Sequence, residues 1–185
     1  MTHTSETYDL REAVDNTLTE LAHNGEMIAV VVADSTTTAK FTSFYEKFPD
    51  RVVNVGIAEQ NMVGTAVGLS LGGFTAFTAN AAPFLLSRAN EQVKNDICYS
   101  KSNVKMIGLN AGVTYGALGS THHILDDISV VRGLGNIQIF APSDAVEAAE
   151  ILRFVCTFNG PAYIRLDKMK FPSFHTQQYS FKVGK

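Results

Sequence analysis

The sequence is poor in cysteine and in charge, and each scarcity narrows the range of functions. Its two cysteines, Cys98 and Cys156, are far apart and lack the spacing of metal ligands. Free intracellular thiols are therefore expected rather than a disulfide scaffold or a zinc site. Charged residues make up only 18 % of the 185 residues, and the net charge is −3. Because an acidic surface attracts neither nucleic acid nor anionic lipid, we expect no partner of either kind.

Long apolar runs and nucleotide motifs are missing as well. No apolar stretch reaches the length of a bilayer span, and the opening residues contain no signal-peptide core. We therefore expect a cytoplasmic protein. Neither GxGxxG nor GxxxxGK[ST] occurs in the sequence, so the common phosphate-binding loops are not expected. No metal-binding residues are predicted.

The sequence does contain a regular alternation of short apolar runs and helix-length segments. Such alternation predicts an α/β fold, a three-layer sandwich with a mostly parallel sheet of about six strands. The domain is predicted to span residues 1–170, and residues 171–185 are predicted to be a tail or a connector to a further domain. The predicted strands are 27–34, 52–55, 74–79, 104–109, 137–140 and 161–166. The predicted helices are 10–23, 58–71, 83–99, 126–134 and 144–158.

Polar or unusual residues follow four of the predicted strands, at the edge where parallel sheets bind ligands. Asp34 precedes "STTT", Glu59 follows Gly56, "NAAPF" follows the third strand, and a Gly-rich loop runs from Asn110 to His123. Most of these are compatible with ordinary turns. Glu59 is the exception, because it is a single acid in the first turn of a nearly all-apolar helix, and burying an unpaired carboxylate is costly.

The segment "PDRVVNVGIAEQNMVGTAVGLSLGGF", with "STHH" and "APSDAVEA" downstream, resembles the pyrimidine-binding domain of the transketolase family of thiamine diphosphate enzymes. The resemblance runs from about Tyr8 to Lys170. It implies that Glu59 hydrogen-bonds the N1′ atom of the cofactor's aminopyrimidine. An apolar pocket favours the neutral form of a carboxyl, which can then donate to a ring nitrogen and assist proton removal at thiazolium C2. The resemblance therefore offers a reason for the single acid.

Further residues take roles through the same resemblance. Phe84 matches the aromatic residue that packs on the pyrimidine ring. His122 matches a histidine that faces the reacting carbons and the substrate oxygens, which makes it a catalytic and substrate-binding candidate beside Glu59. Lys168 lies where relatives carry an arginine that binds the sugar phosphate, and a lysine keeps the charge but not the bidentate geometry. Arg88 lies near a cofactor-side arginine of some relatives.

The sequence also departs from the transketolase pattern. Leu118 occupies the position at which transketolases carry an acid that recognises a substrate hydroxyl. Asn110, a substrate-binding candidate, occupies the position of a histidine in transketolases, and His123 occupies the position of a glutamine. The GDG…N motif that holds the diphosphate and its Mg²⁺ or Ca²⁺ is absent. The resemblance therefore implies that a partner subunit or domain supplies this motif. It also implies a homodimer or a larger assembly, in which the cofactor lies between subunits.

The resemblance implies the pyrimidine-binding half of a transferase that moves a two-carbon ketol unit between sugar phosphates. We expect the isolated chain to be inactive. A subunit similar to deoxyxylulose-phosphate synthase, with pyruvate as donor, is an alternative, and so is a subunit of the pyruvate dehydrogenase beta type. A non-catalytic assembly or regulatory module of the same fold is a third possibility. The combination of Glu59, Phe84 and His122 speaks against that module, because a scaffold needs no buried acid.

Overall fold

The computed structural model describes residues 7–176 and 178–184, so residues 1–6 of the predicted domain and residues 177 and 185 of the predicted tail lie outside the described part. The strands are β1 (Thr7–Asp9), β2 (Ile28–Val32), β3 (Val52–Asn54), β4 (Thr75–Ala81), β5 (Val104–Leu109), β6 (Gln138–Phe140), β7 (Ala162–Arg165) and β8 (Lys170–Pro172). The helices are α1 (Leu10–His23), α2 (Thr36–Ala39), α3 (Thr42–Lys47), α4 (Glu59–Leu71), α5 (84–99), α6 (Asp127–Leu134) and α7 (Ala145–Cys156).

Six of the strands form one parallel sheet in the order β3-β2-β4-β5-β7-β6. This sheet confirms the predicted fold class. All five residues of β2 are buried, because helices cover the sheet on both faces. A strand covered in this way reads as a continuous β-branched run, which is why it could be recognised from the sequence.

Two hydrophobic cores lie on the two faces of the sheet and define three layers. On one face α1, α3 and α7 contribute residues such as Leu18, Phe44 and Leu152. On the other face α4 and α5 contribute residues such as Met62 and Ile97, and α6 joins them. Among the described residues, no helix combines the length and the apolar character that crossing a membrane requires.

Helix α5 was predicted as one helix over residues 83–99, and the structure keeps it helical but irregular. Turns of π-helix at Phe84–Arg88 and Val93–Tyr99 flank an α-helical turn at Asn90–Gln92. Turns of this kind widen the helix and change the direction of the side chains after them, and they often occur at functional sites. Short 3₁₀ turns occur at Pro49–Arg51 and Gly116–Leu118.

Two acidic side chains cap the start of α7. The Asp144 carboxylate accepts a hydrogen bond from the Glu147 amide at 2.8 Å, as a helix cap does. The Glu147 carboxylate accepts from the Ser143 amide at 2.7 Å, not from the Asp144 amide. Asp144 also serves a second segment, because it accepts from the amides of Phe174 and His175.

The segment after Met169, most of which is predicted to be a tail or a connector, packs against the domain. Strand β8 pairs antiparallel with β1, with Thr7 opposite Pro172. Phe181 packs against the rings of Phe140 and Phe154, with centroid distances of 5.8 and 5.4 Å. Aromatic side chains and the Asp144 carboxylate thus hold part of residues 171–185 against the domain, and their assignment as a tail or a connector to a further domain stays a prediction.

Candidate active site

The sheet order places a cleft at the switch point of the fold. Strand β2 lies between β3 and β4. The connection from β2 to β3 therefore runs to one side of β2, and the connection from β3 to β4 crosses to its other side. In open α/β sheets ligands bind at such a point, beyond the carboxyl ends of the strands. An open cleft of about 280 Å³ lies there. Its lining residues are Ala33, Asp34, Ser35, Thr38, Ile57, Glu59, Asn80, Ala81, Phe84, Tyr115, Leu118 and His122.

Asn54 joins the ends of two neighbouring strands below this cleft. Its side-chain oxygen accepts hydrogen bonds from the amides of Asp34 and Gly56, both at 3.0 Å. Gly56 has a φ of +73°, which an L side chain rarely adopts, so the turn after β3 favours glycine. The turn delivers Glu59 as the first residue of α4. Sequence reasoning missed Asn54, because its role depends on the alignment of β2 with β3.

Glu59 is buried at the start of α4, with 3 % of its surface exposed, but it is not unpaired. Both carboxylate oxygens accept from Nη1 of Arg88, at 3.0 and 2.9 Å. The expectation of a single acid in an apolar pocket is therefore corrected for the described structure. The residues that pack behind it, Met62 and Val63, are fully buried and apolar, and the compensating charge comes from the neighbouring helix α5.

Phe84 connects this ion pair to the histidine loop. The Arg88 guanidinium lies 4.7 Å from the centroid of the Phe84 ring. The His122 ring meets the Phe84 ring edge-on, with a centroid distance of 5.2 Å. The structure thus brings Glu59, Phe84, Arg88 and His122 together, although they come from three separate segments of the sequence.

The Gly-rich loop that carries His122 is held at both ends. Gly112 and Ile124 form an antiparallel bridge across its base. Next to that base, the buried Asp127 accepts hydrogen bonds from the Tyr163 hydroxyl at 3.0 Å and from Nε of Arg165 at 2.8 Å. These contacts fix the position of the loop relative to the sheet.

Within the loop, His122 packs against a second aromatic residue that the sequence analysis did not select. The Tyr115 ring lies 5.2 Å from the His122 ring, and His122 Nδ1 lies 3.0 Å from the Thr121 hydroxyl. His123 turns elsewhere, with Nε2 at 3.1 Å from the Gly116 carbonyl. Leu118 is 56 % exposed at the rim of the cleft. Tyr115 carried no signal beyond its place in a Gly-rich loop.

Two predicted substrate-binding residues are not among those that line the cleft. Asn110 is fully buried after β5 with a φ of +55°, and neither its side-chain oxygen nor its nitrogen has a hydrogen-bond partner in the described part of the chain. Lys168 is exposed, and its ammonium lies 5.9 Å from the centroid of the Tyr115 ring. Lys168 thus approaches the outer side of the histidine loop.

Asn80 is a further cleft residue that residue-by-residue reasoning missed, although it lies in the "NAAPF" segment. It is 5 % exposed, and its side-chain oxygen accepts from the Ala81 amide at 2.8 Å. Its side-chain nitrogen is buried and has no partner among residues 7–176 and 178–184. A buried donor without a partner is rare in folded proteins, so it points to an acceptor that the chain itself does not supply.

Comparisons with known proteins identify the family of the chain. The family model described as "Transketolase, pyrimidine binding domain" matches residues 6–173. The chain is 58 % identical over 161 residues to a protein of Actinobacillus succinogenes that is named as a subunit of apulose-4-phosphate transketolase, covering 87 % of this chain and 52 % of that protein. It is 36 % identical over 176 residues to the protein of the same name from Phocaeicola vulgatus, covering 95 % of this chain and 56 % of that protein.

A solved structure agrees as well. A split-gene transketolase, described as an inactive beta4 tetramer, superimposes with a TM-score of 0.87 at 36 % identity, covering 97 % of this chain and 58 % of that chain. The chain spans about half the length of the two apulose-4-phosphate transketolase subunits that it matches. Because the family model matches almost the whole chain, the resemblance is confirmed: the chain belongs to the transketolase pyrimidine-binding domain family.

Proposed function

We propose that this chain is the pyrimidine-binding component of a thiamine-diphosphate-dependent transferase that moves a two-carbon ketol unit between sugar phosphates. The observation that carries the proposal is the cleft at the switch point, where Glu59, Phe84 and His122 meet. The family implies thiamine diphosphate as the cofactor. When bound, this cofactor supplies the carbon nucleophile that cleaves and forms the carbon–carbon bond.

The residues of the cleft fit the flat aminopyrimidine of that cofactor. Phe84 offers an aromatic face, Glu59 offers a carboxyl group at the same site, and Asn80 offers a buried amide donor with no partner in the described chain. In the proposed roles, Glu59 holds a proton toward the ring nitrogen and Phe84 packs on the ring. His122 hydrogen-bonds the oxygens of the substrate at the reacting carbons.

Asn110 and Lys168 are proposed to bind the substrate farther from the ring. The side-chain amide of Asn110, without a partner in the described chain, offers two N–H donors and one acceptor oxygen, which suits a hydroxyl group. The exposed ammonium of Lys168 suits the phosphate of a sugar phosphate as a point charge. Arg88 is proposed to act on the cofactor side, where it contacts Glu59 and Phe84.

The diphosphate and its Mg²⁺ or Ca²⁺ are proposed to lie on a partner subunit. No group of three or more metal-ligating side chains occurs within the described residues, and the sequence has no GDG…N motif. Two of the relatives are named as subunits of a transketolase. We therefore expect the chain to be inactive alone and to work in an assembly that contains the partner. A homodimeric or larger state and a cytoplasmic location stay predictions.

The substrate is proposed to resemble that of the relative with 58 % identity, which is named for apulose 4-phosphate. The exposed Leu118 at the cleft rim favours a substrate that is not read by an acid at that position. A pyruvate donor, as in deoxyxylulose-phosphate synthase, is the alternative for the same cleft.

A reconstitution experiment tests the proposal. The chain is co-expressed with a diphosphate-binding transketolase subunit that carries a GDG…N motif, and ketol transfer is measured with thiamine diphosphate and Mg²⁺. We expect transfer from a ketose phosphate, tested with apulose 4-phosphate and xylulose 5-phosphate, and none from either chain alone. A folded complex that binds the cofactor and transfers nothing from these donors or from pyruvate would contradict the proposed activity.

A further inference from the structure

The ion pair between Glu59 and Arg88 conflicts with the task proposed for Glu59. An ionised carboxylate only accepts hydrogen bonds, and a pyrimidine nitrogen with a free lone pair also only accepts. A hydrogen bond between them therefore needs one proton, on the carboxyl group or on the ring. A guanidinium group stays charged at all ordinary pH values and favours the ionised carboxylate. In the structure both oxygens of Glu59 already face Nη1 of Arg88.

Arg88 is the cation that hydrogen-bonds the buried carboxyl group of Glu59. A carboxylate that is 3 % exposed requires compensation, because its charge has lost most of its hydration. The other titratable residues that line the cleft are Asp34, Tyr115 and His122. Asp34 carries the same charge as Glu59 and so opposes its ionisation. The hydrogen-bonded cation at Glu59 comes from α5, in the π-helical turn that ends at Arg88.

The exposure of Arg88 lowers the free-energy cost of breaking its ion pair with Glu59. Its side chain is 50 % exposed, in contrast to the buried side chain of Glu59. An ion pair with one exposed partner is screened by solvent, and a released guanidinium can be hydrated where it stands. The same guanidinium also covers part of the Phe84 ring, at 4.7 Å from its centroid. One cation thus contacts both side chains that are assigned to the aminopyrimidine.

We propose that Arg88 is a positioning residue which keeps Glu59 ionised in the cofactor-free chain, and that Glu59 releases Arg88 and takes one proton from solvent when the aminopyrimidine binds. The inference rests on the proposed function. The proton comes from water or a buffer acid, so one O–H bond forms on Glu59 while the donor acid loses its bond to that proton, and the site gains one positive charge because the guanidinium remains charged. Cofactor binding therefore consumes protons and weakens as the pH rises.

Calorimetry of the complex with its diphosphate-binding partner tests the linkage. Thiamine diphosphate with Mg²⁺ is titrated at pH 8 in buffers of different ionisation enthalpy, which gives the number of protons taken up. We expect about one proton per site, and a Kd that rises about tenfold per pH unit above neutrality, as linkage of one proton requires. Arg88→Met should lower the uptake by at least half, because Glu59 then holds its proton before the cofactor arrives.

Two variants serve as controls. Arg88→Lys keeps the positive charge and should keep the proton uptake. Arg153→Met removes a comparably exposed arginine that pairs with Glu20 and Glu150 on the other side of the sheet, and it should change nothing. Proton uptake that is the same in wild type and Arg88→Met, with cofactor binding intact, would overturn the inference and leave the proposed function standing.

A measurement without cofactor separates the two hypotheses further. The ¹³C carboxyl signal of Glu59 in the free chain at neutral pH should be that of a carboxylate in wild type and in Arg153→Met. In Arg88→Met it should move toward that of the neutral acid. Identical signals in all three folded proteins would overturn the inference. Failure of a folded complex to bind thiamine diphosphate would overturn the proposed function and the inference together.

Discussion

Buried polar side chains at the two ends of strand β5 differ in whether they have hydrogen-bond partners. Near its start, the fully buried Lys105 donates to the carbonyls of Phe158 and Gly160 at 3.0 and 2.6 Å. Its ammonium also lies 3.9 Å from the centroid of the Phe158 ring. Just beyond its other end, the equally buried Asn110 has no hydrogen-bond partner for either side-chain polar atom in the described chain.

This difference separates the part of the molecule that stabilises the fold from the part that is prepared for a ligand. Folded proteins satisfy nearly all buried polar groups, so an unsatisfied one needs an explanation. Four side chains have a buried polar atom without a partner in the described residues: Thr78 and Asn80 lie on β4 and Asn110 follows β5, near or at the carboxyl edge of the sheet, and Gln92 lies on α5. At the opposite edge of the sheet, by contrast, even the buried ammonium of Lys105 has hydrogen-bond acceptors.

The largest expected effect is at the cleft edge. In the reconstituted complex, Glu59→Gln should slow proton exchange at C2 of thiamine diphosphate by about 10²- to 10⁴-fold, because the amide has no acidic proton to offer the ring. The amide is nearly isosteric, so the fold should survive. Hydrogen–deuterium exchange at C2 measures the rate, and circular dichroism checks the fold. Equal rates in two folded proteins would remove Glu59 from the mechanism.

At the opposite edge the expected effect is on stability alone. Burial lowers the pKa of Lys105 from its ordinary value of 10.5 to about 8. Between these values the unfolded chain binds the proton that the folded chain has lost, so this residue makes the free energy of unfolding rise with pH, by up to about 3 kcal/mol. Burial also raises the pKa of the Cys98 and Cys156 thiols to about 11, which opposes the rise above pH 9.

The contribution of Lys105 is isolated by comparing wild type with Lys105→Met. Urea unfolding at pH values from 7.5 to 10 should show a positive slope that the variant loses, while cofactor binding by the complex stays unchanged. Parallel pH profiles of the two proteins would show that Lys105 does not carry the effect.

A smaller effect is expected where the histidine loop is anchored. A Cβ atom added at Gly108 would lie 2.3 Å from the Tyr163 hydroxyl, which donates to Asp127. Gly108→Ala should therefore destabilise the fold by about 1–3 kcal/mol through overpacking. Denaturant unfolding gives the change, and adding Tyr163→Leu should recover part of it. A Gly108→Ala protein as stable as wild type would show that the Tyr163 ring moves freely.

The smallest effect is expected on the stability of the chain, for a substitution on β4 near the carboxyl edge of the sheet. Thr78→Val replaces a buried hydroxyl without a partner in the described chain by a methyl group of the same shape. The free chain should be unchanged or more stable by up to about 1 kcal/mol, because no hydrogen bond is lost. A clear loss of stability in urea unfolding would mean that the hydroxyl has a partner, such as an ordered water, and that this edge is satisfied after all.

The sheet could be predicted well because parallel strands that are covered on both faces appear in the sequence as β-branched runs. The neighbourhood of the site could be predicted through the turn before Glu59 and the positions of Phe84 and His122. The ion pair with Arg88 could not be predicted, since π-helical turns decide where that side chain points. The pairing of β1 with β8 was missed as well, because neither Thr7–Asp9 nor Lys170–Pro172 is an apolar run.

That pairing also brings two distant parts of the sequence to one corner of the domain. Since Thr7 lies opposite Pro172, the start of the described chain lies beside the strand that leads into the segment of Phe181. Domains with adjacent ends tolerate circular permutation and insertion into other chains. A linker that leads from the segment after Phe181 back to Thr7 should therefore allow the chain to be reopened at an exposed turn, such as the one at Gly135 and Asn136, without rearranging the cleft.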